Sequence, residues 1–499
     1  MIKRTMTDDV LLIAPSYLLE DVRLSGVDVG SMSPPLGLLY VAAMMQNHGY
    51  RVNVLHMHAE GIRTKSNLIQ YLKRVKPNLV GISTLTSKFQ NVLDIARISK
   101  AIFPNASIML GGHFATFNHD KILAKNADID FIVRGEGEAT SVELIQQLDK
   151  NNPDFSKIRG ISYRNNGRLH SNEDRPLQED LDSFPLPAYQ LVSHLSYGKL
   201  GVLEGTSGNL GTLVTSRGGI YKCTYCSNSS FTSHTIRYRS PESVMEELEY
   251  YVNTFGLREF MFNDDNFTLN RKRVIKLCYL LKKNGLDIEW YADGRVNQAD
   301  DNMYREMHRA GCRLIYYGIE SCVDRILRYY RKGTTYEMQK TGVKKARKAH
   351  LDTVGSFILG APIETVEEMW ETVRKAAALD LDYAQFNPLS IYRGTPIWSH
   401  LVNEGKIDDN ARWEETISGF ELNPYVTLED LPQLMNDMHR YYFQRGIYIF
   451  RQLFRLFIFR RHLVFRNLRT LRNPRAIHNE IKRALYITTP EWGYCWLHE

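Results

Sequence analysis

Cys223 and Cys226 are the one close-spaced pair among six cysteines, in the segment Thr215-Ser216-Arg217-Gly218-Gly219-Ile220-Tyr221-Lys222-Cys223-Thr224-Tyr225-Cys226. Two thiols at this spacing can act as a redox dithiol, as half of a zinc site or as part of an iron-sulfur site. No second close-spaced Cys or His pair is present to complete a zinc tetrahedron, and a thioredoxin-like role suits a much smaller fold. Cys278, Cys312, Cys322 and Cys495 are too scattered for the disulfide framework of a small secreted domain, which favours a reducing compartment.

The elements that position this pair follow from the alternation of strand and helix patterns. A chain of 499 residues is too long for one core, and its 43% hydrophobic and 24% charged composition is that of a globular protein. In residues 1–150, strands are predicted at Val10 to Ala14, Arg51 to Leu55, Leu79 to Ser83, Ser107 to Leu110 and Asp130 to Val133, separated by helices. That rhythm predicts a doubly wound parallel sheet of flavodoxin-like order, whose ligands sit beyond the carboxyl ends of the strands. Small and polar residues stand there: Ser83, Thr84 and Thr86; Gly111, Gly112 and His113; Gly135 and Glu136. They suit a large cofactor, and they equally suit tight turns between strand and helix.

Residues 151–205 lose the rhythm and read as a connector with a short hairpin, Gly160 to Tyr163 and Arg168 to Ser171. Alternation resumes over 206–405, with strands predicted at Leu213 to Ser216, Glu259 to Asn263, Ile288 to Ala292, Leu314 to Ile319, Val354 to Leu359 and Ala384 to Leu389. Six repeats imply a partial (β/α)6 barrel with its chemistry at the carboxyl ends of the strands. The Cys pair ends the first of them. A helix is predicted over Pro241 to Thr254, with Ser240 as cap.

At this point the residues resemble a known family. The cysteine segment is similar to the cluster loop of radical S-adenosylmethionine (SAM) enzymes, with Cys223 and Cys226 at the second and third ligand positions, Gly219 at the first and Ile220 in place of the usual proline. Phe262-Asn263-Asp264-Asp265-Asn266-Phe267 resembles the family's second-strand acidic motif. Tyr317-Gly318-Ile319-Glu320-Ser321 resembles its fourth-strand motif, and Gly355 to Glu364, including Gly360, its fifth-strand segment beside the adenosine. With Pro34-Pro35-Leu36-Gly37 and the Gly111-Gly112-His113 loop, residues 8 to 400 resemble the cobalamin-dependent class.

The resemblance implies three cofactors: a 4Fe-4S cluster on Cys223 and Cys226, SAM near Tyr225, Asp264, Gly318, Glu320, Ser321 and Gly360, and cobalamin at Ser83, Thr84, Thr86, Gly111, Gly112, His113, Gly135 and Glu136. It further implies an electron donor, a 5′-deoxyadenosyl radical that takes a substrate hydrogen, and in many members methyl transfer from the corrinoid. The His-x-x-Gly pattern at His58 follows the second strand, where cobalt-ligating members carry theirs after the first, so an ordinary loop histidine is expected. Glu320 and Asp264 also fit plain salt bridges at a barrel rim.

Glycine offers an iron no ligand, so the cluster is completed by another residue or by a small molecule, or it is labile or absent. Cys322, directly after the fourth-strand motif, is the candidate substitute, with His234 behind it. Two functions follow: a methyltransferase or related C–H functionalising enzyme acting on a natural-product or lipid-like small molecule, or a cofactor-binding relative without radical activity.

The net charge of +7 is uneven, because ten arginines and no acidic residue lie between Arg440 and Arg475, and the rest of the chain is net negative. Global charge therefore gives no argument for nucleic acid as a partner. Residues 406–499 are expected to be helical. Arginines 451, 455, 460, 461, 466 and 469 interrupt an apolar run too often for a membrane span, leaving peripheral contact with an anionic surface or packing on the barrel. The amino-terminal start turns acidic before any apolar run, so neither a signal nor an anchor is expected, and a cytoplasmic location follows.

Overall fold

Aliphatic runs buried on both faces make the first sheet: Val10–Ala14 (β1), Val52–His56 (β2), Leu79–Ser83 (β3), Ser107–Gly111 (β4) and Phe131–Val133 (β5). Their helices are Leu36–Asn47 (α1), Lys65–Val75 (α2), Phe89–Ile102 (α3), His113–Lys125 (α4) and Glu138–Leu148 (α5). The computed structural model describes residues 10–16, 33–197 and 209–450. The arginine-rich stretch from Arg451 onward and Cys495 lie outside the described residues.

The parallel order β2-β1-β3-β4-β5 is the flavodoxin-like one. The hairpin Ile161–Asn165 (β6) and Arg168–Ser171 (β7), turned by Asn166-Gly167, then adds antiparallel to β5 with Phe131 opposite Tyr163, so part of the expected connector extends the sheet. Leu11, Ile13, Val80, Ile82, Ile108 and Leu110 form the core with Phe89 and Phe114, and Trp413 from the later chain packs on those two rings.

Next in the chain come Leu210–Leu213 (β8), a small ribbon of Ser216–Gly218 (β9) and Ile236–Tyr238 (β10), then Glu259–Phe262 (β11), Glu289–Gly294 (β12), Cys312–Glu320 (β13), Asp352–Leu359 (β14) and Tyr383–Pro388 (β15). Apart from the ribbon, β8 pairs parallel with β11, and β12-β13-β14-β15 pair parallel in chain order, the connectivity of a partial (β/α)6 barrel. The helix Pro241–Phe255 starts as predicted, with the Ser240 hydroxyl accepting from the Ser243 N–H. Beyond residue 405 the chain is not wholly helical: Ile417–Ser418 pairs antiparallel with Ser390–Ile391 before the helix Leu431–Phe443.

Two compact units result. Described residues of the first fall within 10–197, 209–265 and 392–416, and those of the second within 266–391 and 417–450. The first holds the flavodoxin-like sheet with β8 to β11; the second holds β12 to β15.

Candidate functional site

In the first unit, the barrel's first strand ends at Leu213, whereas sequence placed it over Leu213 to Ser216. The cause is Asp264, just past β11. One carboxylate oxygen accepts from the Thr215 N–H at 2.6 Å; the other accepts from the Thr215 and Ser216 hydroxyls, each at 2.6 Å. Asp264 and Thr215 are fully buried, so the chain leaves the sheet to satisfy a carboxylate that water does not reach. Expected to position SAM, Asp264 has both oxygens engaged in holding this loop.

Ser216–Gly218 then pairs with Ile236–Tyr238, clamping both ends of the excursion 219–235. Gly218 sits at φ +94°, and a Cβ there would come 2.1 Å from the Thr235 carbonyl oxygen, so no larger residue fits. The excursion carries both thiols. Cys223 is buried and Cys226 half-buried, and the Cys226 N–H donates to the Cys223 carbonyl at 3.3 Å. The Ile397 N–H donates to Thr224 O at 2.8 Å, and the Ser227 and Tyr392 hydroxyls lie 3.3 Å apart. Half-buried Tyr225 stands between the two cysteines in sequence. A Cβ at Gly219 would meet nothing within 4 Å.

The other described thiols lie away from solvent. Cys278, Cys312 and Cys322 are fully buried, and burial pushes the Cys278 thiol up to about 12 and the other two well above their ordinary value. Cys322, the expected substitute ligand, is thus closed off from solvent. Its N–H donates to the Thr372 hydroxyl at 3.3 Å, and its thiol lies in a core. His234 is exposed on the turn before β10. Among the described residues, no three His, Cys, Asp or Glu side chains are grouped to hold a metal ion. The donor set for a cluster is thus two thiols on a clamped loop, one short of three.

At the strand ends of the first sheet, two expected cofactor contacts are bridges within the protein. Thr84 is fully buried; its hydroxyl donates to Gly111 O at 2.7 Å and accepts from the Ala115 N–H at 3.0 Å, stitching β3 to β4 and α4. Gly112 follows at φ +101°, where a Cβ would lie 2.9 Å from Thr84 O. Glu136 forms a two-pronged pair with Arg237 at 2.7 and 2.9 Å and meets Arg217 at 3.4 Å. Burial would raise the Glu136 pKa, but the two arginines outweigh it and hold the carboxyl below its ordinary value. Arg217 itself pairs with Glu138 at 2.8 Å and lies over the rings of Tyr40 and Phe184 at 4.9 and 4.7 Å. Left half-buried at these ends are Ser83, Thr86, Gly111 and Gly135, beside Leu85, which is 52% exposed. Glycine edges and an uncovered apolar side chain suit the face of a large flat macrocycle.

His113 joins this sheet to the cysteine loop. Its ring stacks on Phe231 with centroids 4.2 Å apart, and its Nε2 lies 3.3 Å from the Asn228 side-chain oxygen. Burial lowers the His113 pKa against the opposing pull of Asn228. The Asn228 amide donates in turn to Asp265. Asp265 keeps one open face, yet the protein around it and the neighbouring Asp264 push its carboxyl up to about 6. The residues of the His58 pattern lie on the turn after β2, where the His56 ring nitrogen is 3.2 Å from the Tyr197 hydroxyl.

In the second unit, β13 ends at Glu320 with φ +69°, next to a register shift against β14. A non-glycine residue in that conformation costs on the order of 1–3 kcal/mol and concentrates at functional sites. The Glu320 carboxylate turns back over Gly318, where any side chain would come 2.5 Å from it, and accepts from Lys332 Nζ at 2.8 Å with both groups buried. The Tyr316 hydroxyl donates to Gln385 at 2.5 Å. Ser321, expected near SAM, is instead fully buried: its hydroxyl lies 3.0 Å from that of Thr372 and accepts from the Val323 N–H at 3.1 Å. The Gly360 and Ala361 N–H groups donate to one oxygen of Glu364 at 2.8 and 3.1 Å; its other oxygen has no partner among the described residues, and burial pushes this carboxyl up to about 8.

Sequence reasoning missed Arg217, Asn228 and Lys332. Arg217 lies inside the cysteine segment and Asn228 two residues past it, close enough to have been weighed, whereas Lys332 lies twelve residues past its partner and carried no motif.

Comparison with known proteins fits this geometry. Residues 22–145 match the B12 binding domain and residues 213–376 the radical SAM superfamily. The chain is 35% identical over 427 residues to an uncharacterized methyltransferase of Pyrococcus horikoshii, covering 85% of this chain and 91% of that protein. It is 25% identical to the cytidylyl-2-hydroxyethylphosphonate methyltransferase of Streptomyces wedmorensis, covering 80% and 82% of the two chains. Among solved structures, the radical SAM methyltransferase TsrM of Kitasatospora setae, with cobalamin and a [4Fe-4S] cluster bound, superposes with a TM-score of 0.65 at 18% identity, over 79% of this chain and 77% of that one. The cobalamin-dependent radical enzyme OxsB gives 0.69 at 16%, over 95% and 70%.

Proposed function

The chain belongs to the cobalamin-dependent radical SAM family, and from that premise we propose that it transfers a methyl group to, or otherwise functionalises, a C–H bond of a small natural-product or lipid-like molecule. One observation carries the reading: the loop after β4 and the loop of the two cysteines are tied through His113, Asn228 and Asp265 within a single unit. A methyl carrier and a radical generator must share one substrate, and this bridge serves that need.

When bound, the cluster would supply the electron that cleaves SAM, and the corrinoid the methyl group. The chain's own part is positional. Asp264 fixes the entry of the cysteine loop, and Glu136 with Arg237 fixes its exit strand against the first sheet. Ser83, Thr86, Gly111, Gly135 and Leu85 would cradle the macrocycle. Within the second unit, Glu320, held in a strained turn by Lys332, would contact SAM together with Gly318 and Gly360, and Tyr225 is proposed as a SAM contact on the cysteine loop of the first.

Anaerobic reconstitution with iron, sulfide and cobalamin, followed by assay for 5′-deoxyadenosine and for methylated product, tests the proposal. Corrinoid uptake without any 5′-deoxyadenosine would leave a cofactor binder and overturn it. We further place the chain in the cytoplasm with an external electron donor. The arginine-rich stretch beyond residue 450 is proposed to touch an anionic lipid surface, and absence of lipid-dependent sedimentation with anionic liposomes would remove that contact.

A further inference from the structure

The ribbon that clamps the cysteine loop sets two arginines against each other. Arg217 of β9 and Arg237 of β10 are directly opposite in an antiparallel pair, flanked by Ser216 facing Tyr238 and Gly218 facing Ile236. Side chains so placed leave the two backbones about 5 Å apart, and like charges there push the strands away from each other. Both guanidinium groups are also withdrawn from water, with side-chain exposures of 17% and 6%. Three residue pairs alone are a poor match for that repulsion.

What holds it closed comes from elsewhere in the first unit. The turn from β5 to α5, Arg134-Gly135-Glu136-Gly137-Glu138, supplies two buried carboxylates. Glu136 takes both prongs of Arg237 at 2.7 and 2.9 Å and meets Arg217 at 3.4 Å, and Glu138 takes Arg217 at 2.8 Å. The charges alternate, Arg237, Glu136, Arg217, Glu138, and sum to zero. Neither arginine can swing aside, because Arg217 lies over the rings of Tyr40 and Phe184 and Arg237 also donates to Gln178 O at 2.7 Å. An anchor between sheet and ribbon needs one ion pair, or an apolar contact that avoids the cost of stripping water from four charges. Here each strand of the ribbon has an acid of its own, and Glu136 reaches both.

We propose that Glu136 and Glu138 are positioning residues for the two thiols: by neutralising the facing arginines they hold residues 219–235 closed with Cys223 buried, and loss of either acid lets the arginines force the ribbon open. The latch stands on the ion pairs alone; its bearing on catalysis rests on the family reading given above. Under that reading a single turn of five residues serves two ends of the site, since Gly135 lies on the face offered to the macrocycle while its neighbour Glu136 sets the thiols. No bond is made or broken; only the population of the open loop changes.

The test is alkylation of the metal-free full chain by iodoacetamide, read residue by residue by tandem mass spectrometry, with hydrogen exchange in β1, β3 and β4 as the check that the first sheet is intact. Glu136→Gln is expected to raise the Cys223 rate at least about tenfold, while half-buried Cys226 changes less and fully buried Cys278, Cys312 and Cys322 stay unlabelled. Arg237→Met breaks the same two-pronged pair from the other side but leaves no facing charge, and is expected to change that rate less than about threefold. Glu136→Gln combined with Arg237→Met, in which Arg217 keeps Glu138, is expected to return to within about threefold of wild type. Equal opening by Glu136→Gln and Arg237→Met, or a double variant as open as Glu136→Gln, would make the acids plain anchors and overturn the proposal. So would an unchanged Cys223 rate in Glu136→Gln, or loss of protection across the first sheet in both Glu136→Gln and Glu138→Gln. None of these readouts uses a cofactor, so a failure here is distinct from a failure of the family reading, which reconstitution tests.

Discussion

Two buried carboxylates end two strands of this protein and are treated in opposite ways. Asp264, past β11, receives three donors and is fully satisfied as an anchor. Glu364, past β14, receives two backbone N–H groups on one oxygen and none on the other among the described residues, and its carboxyl is pushed up to about 8. The difference lies in what each must hold. Asp264 fixes a loop that has to present two thiols at set positions, so its charge is matched by hydroxyls supplied by that loop. Glu364 only closes a turn, and a proton can do part of the work that donors do at Asp264.

Removing the well-supplied carboxylate should have the largest effect. Asp264→Ala leaves the Thr215 and Ser216 hydroxyls and one N–H buried without an acceptor, and should cost at least about 3 kcal/mol. The drop in denaturation midpoint measures it, and loss below about 1 kcal/mol would contradict the anchoring role.

Glu364→Gln should do the reverse at high pH. Below about 4.5 Glu364 is protonated in both folded and unfolded chains; between there and about 8 the unfolded chain releases the proton while the folded one keeps it. The folded state then binds more protons, so wild-type stability falls as pH rises through that window and stays low above it. The variant should lose that slope and gain on the order of 2 kcal/mol at pH 9. Denaturant titrations at pH 5, 7 and 9 would show it, and parallel curves for the two proteins would count against the raised carboxyl.

Asn228→Ala should have the smallest effect on stability, under about 1 kcal/mol, because the groups it joins are half-open to solvent. Its effect should appear instead as several-fold weaker corrinoid uptake with little change in midpoint. Unchanged uptake would show that the bridge between the loops is incidental.

Much of the architecture is legible in the residues. Aliphatic runs mark the first five strands because parallel strands are buried on both faces, and Ser240 before Pro241 marks a helix start by capping chemistry. The strand expected over Leu213 to Ser216 lay three residues early, because Thr and Ser are good strand formers and nothing local shows that Asp264, some fifty residues on, draws them off the sheet. The same blindness explains Thr84, Glu136 and Ser321. Polar residues at strand ends resemble cofactor ligands until their partners are known, and the Glu136 partner Arg237 lies 101 residues away. The replacement of a cluster cysteine by Gly219 was plain in the sequence. That the space beside it stays open, and that Cys322 is closed off in a core, depends on packing that spacing does not encode.

The central claim is that this chain gathers a corrinoid and an iron-sulfur centre for one reaction. Ultraviolet-visible spectra with iron and sulfide analysis on protein purified without oxygen, in the presence of cobalamin, address it most directly. The account predicts corrinoid bands together with bound iron and sulfide on the same chain; corrinoid alone, with neither iron nor sulfide retained, would contradict it.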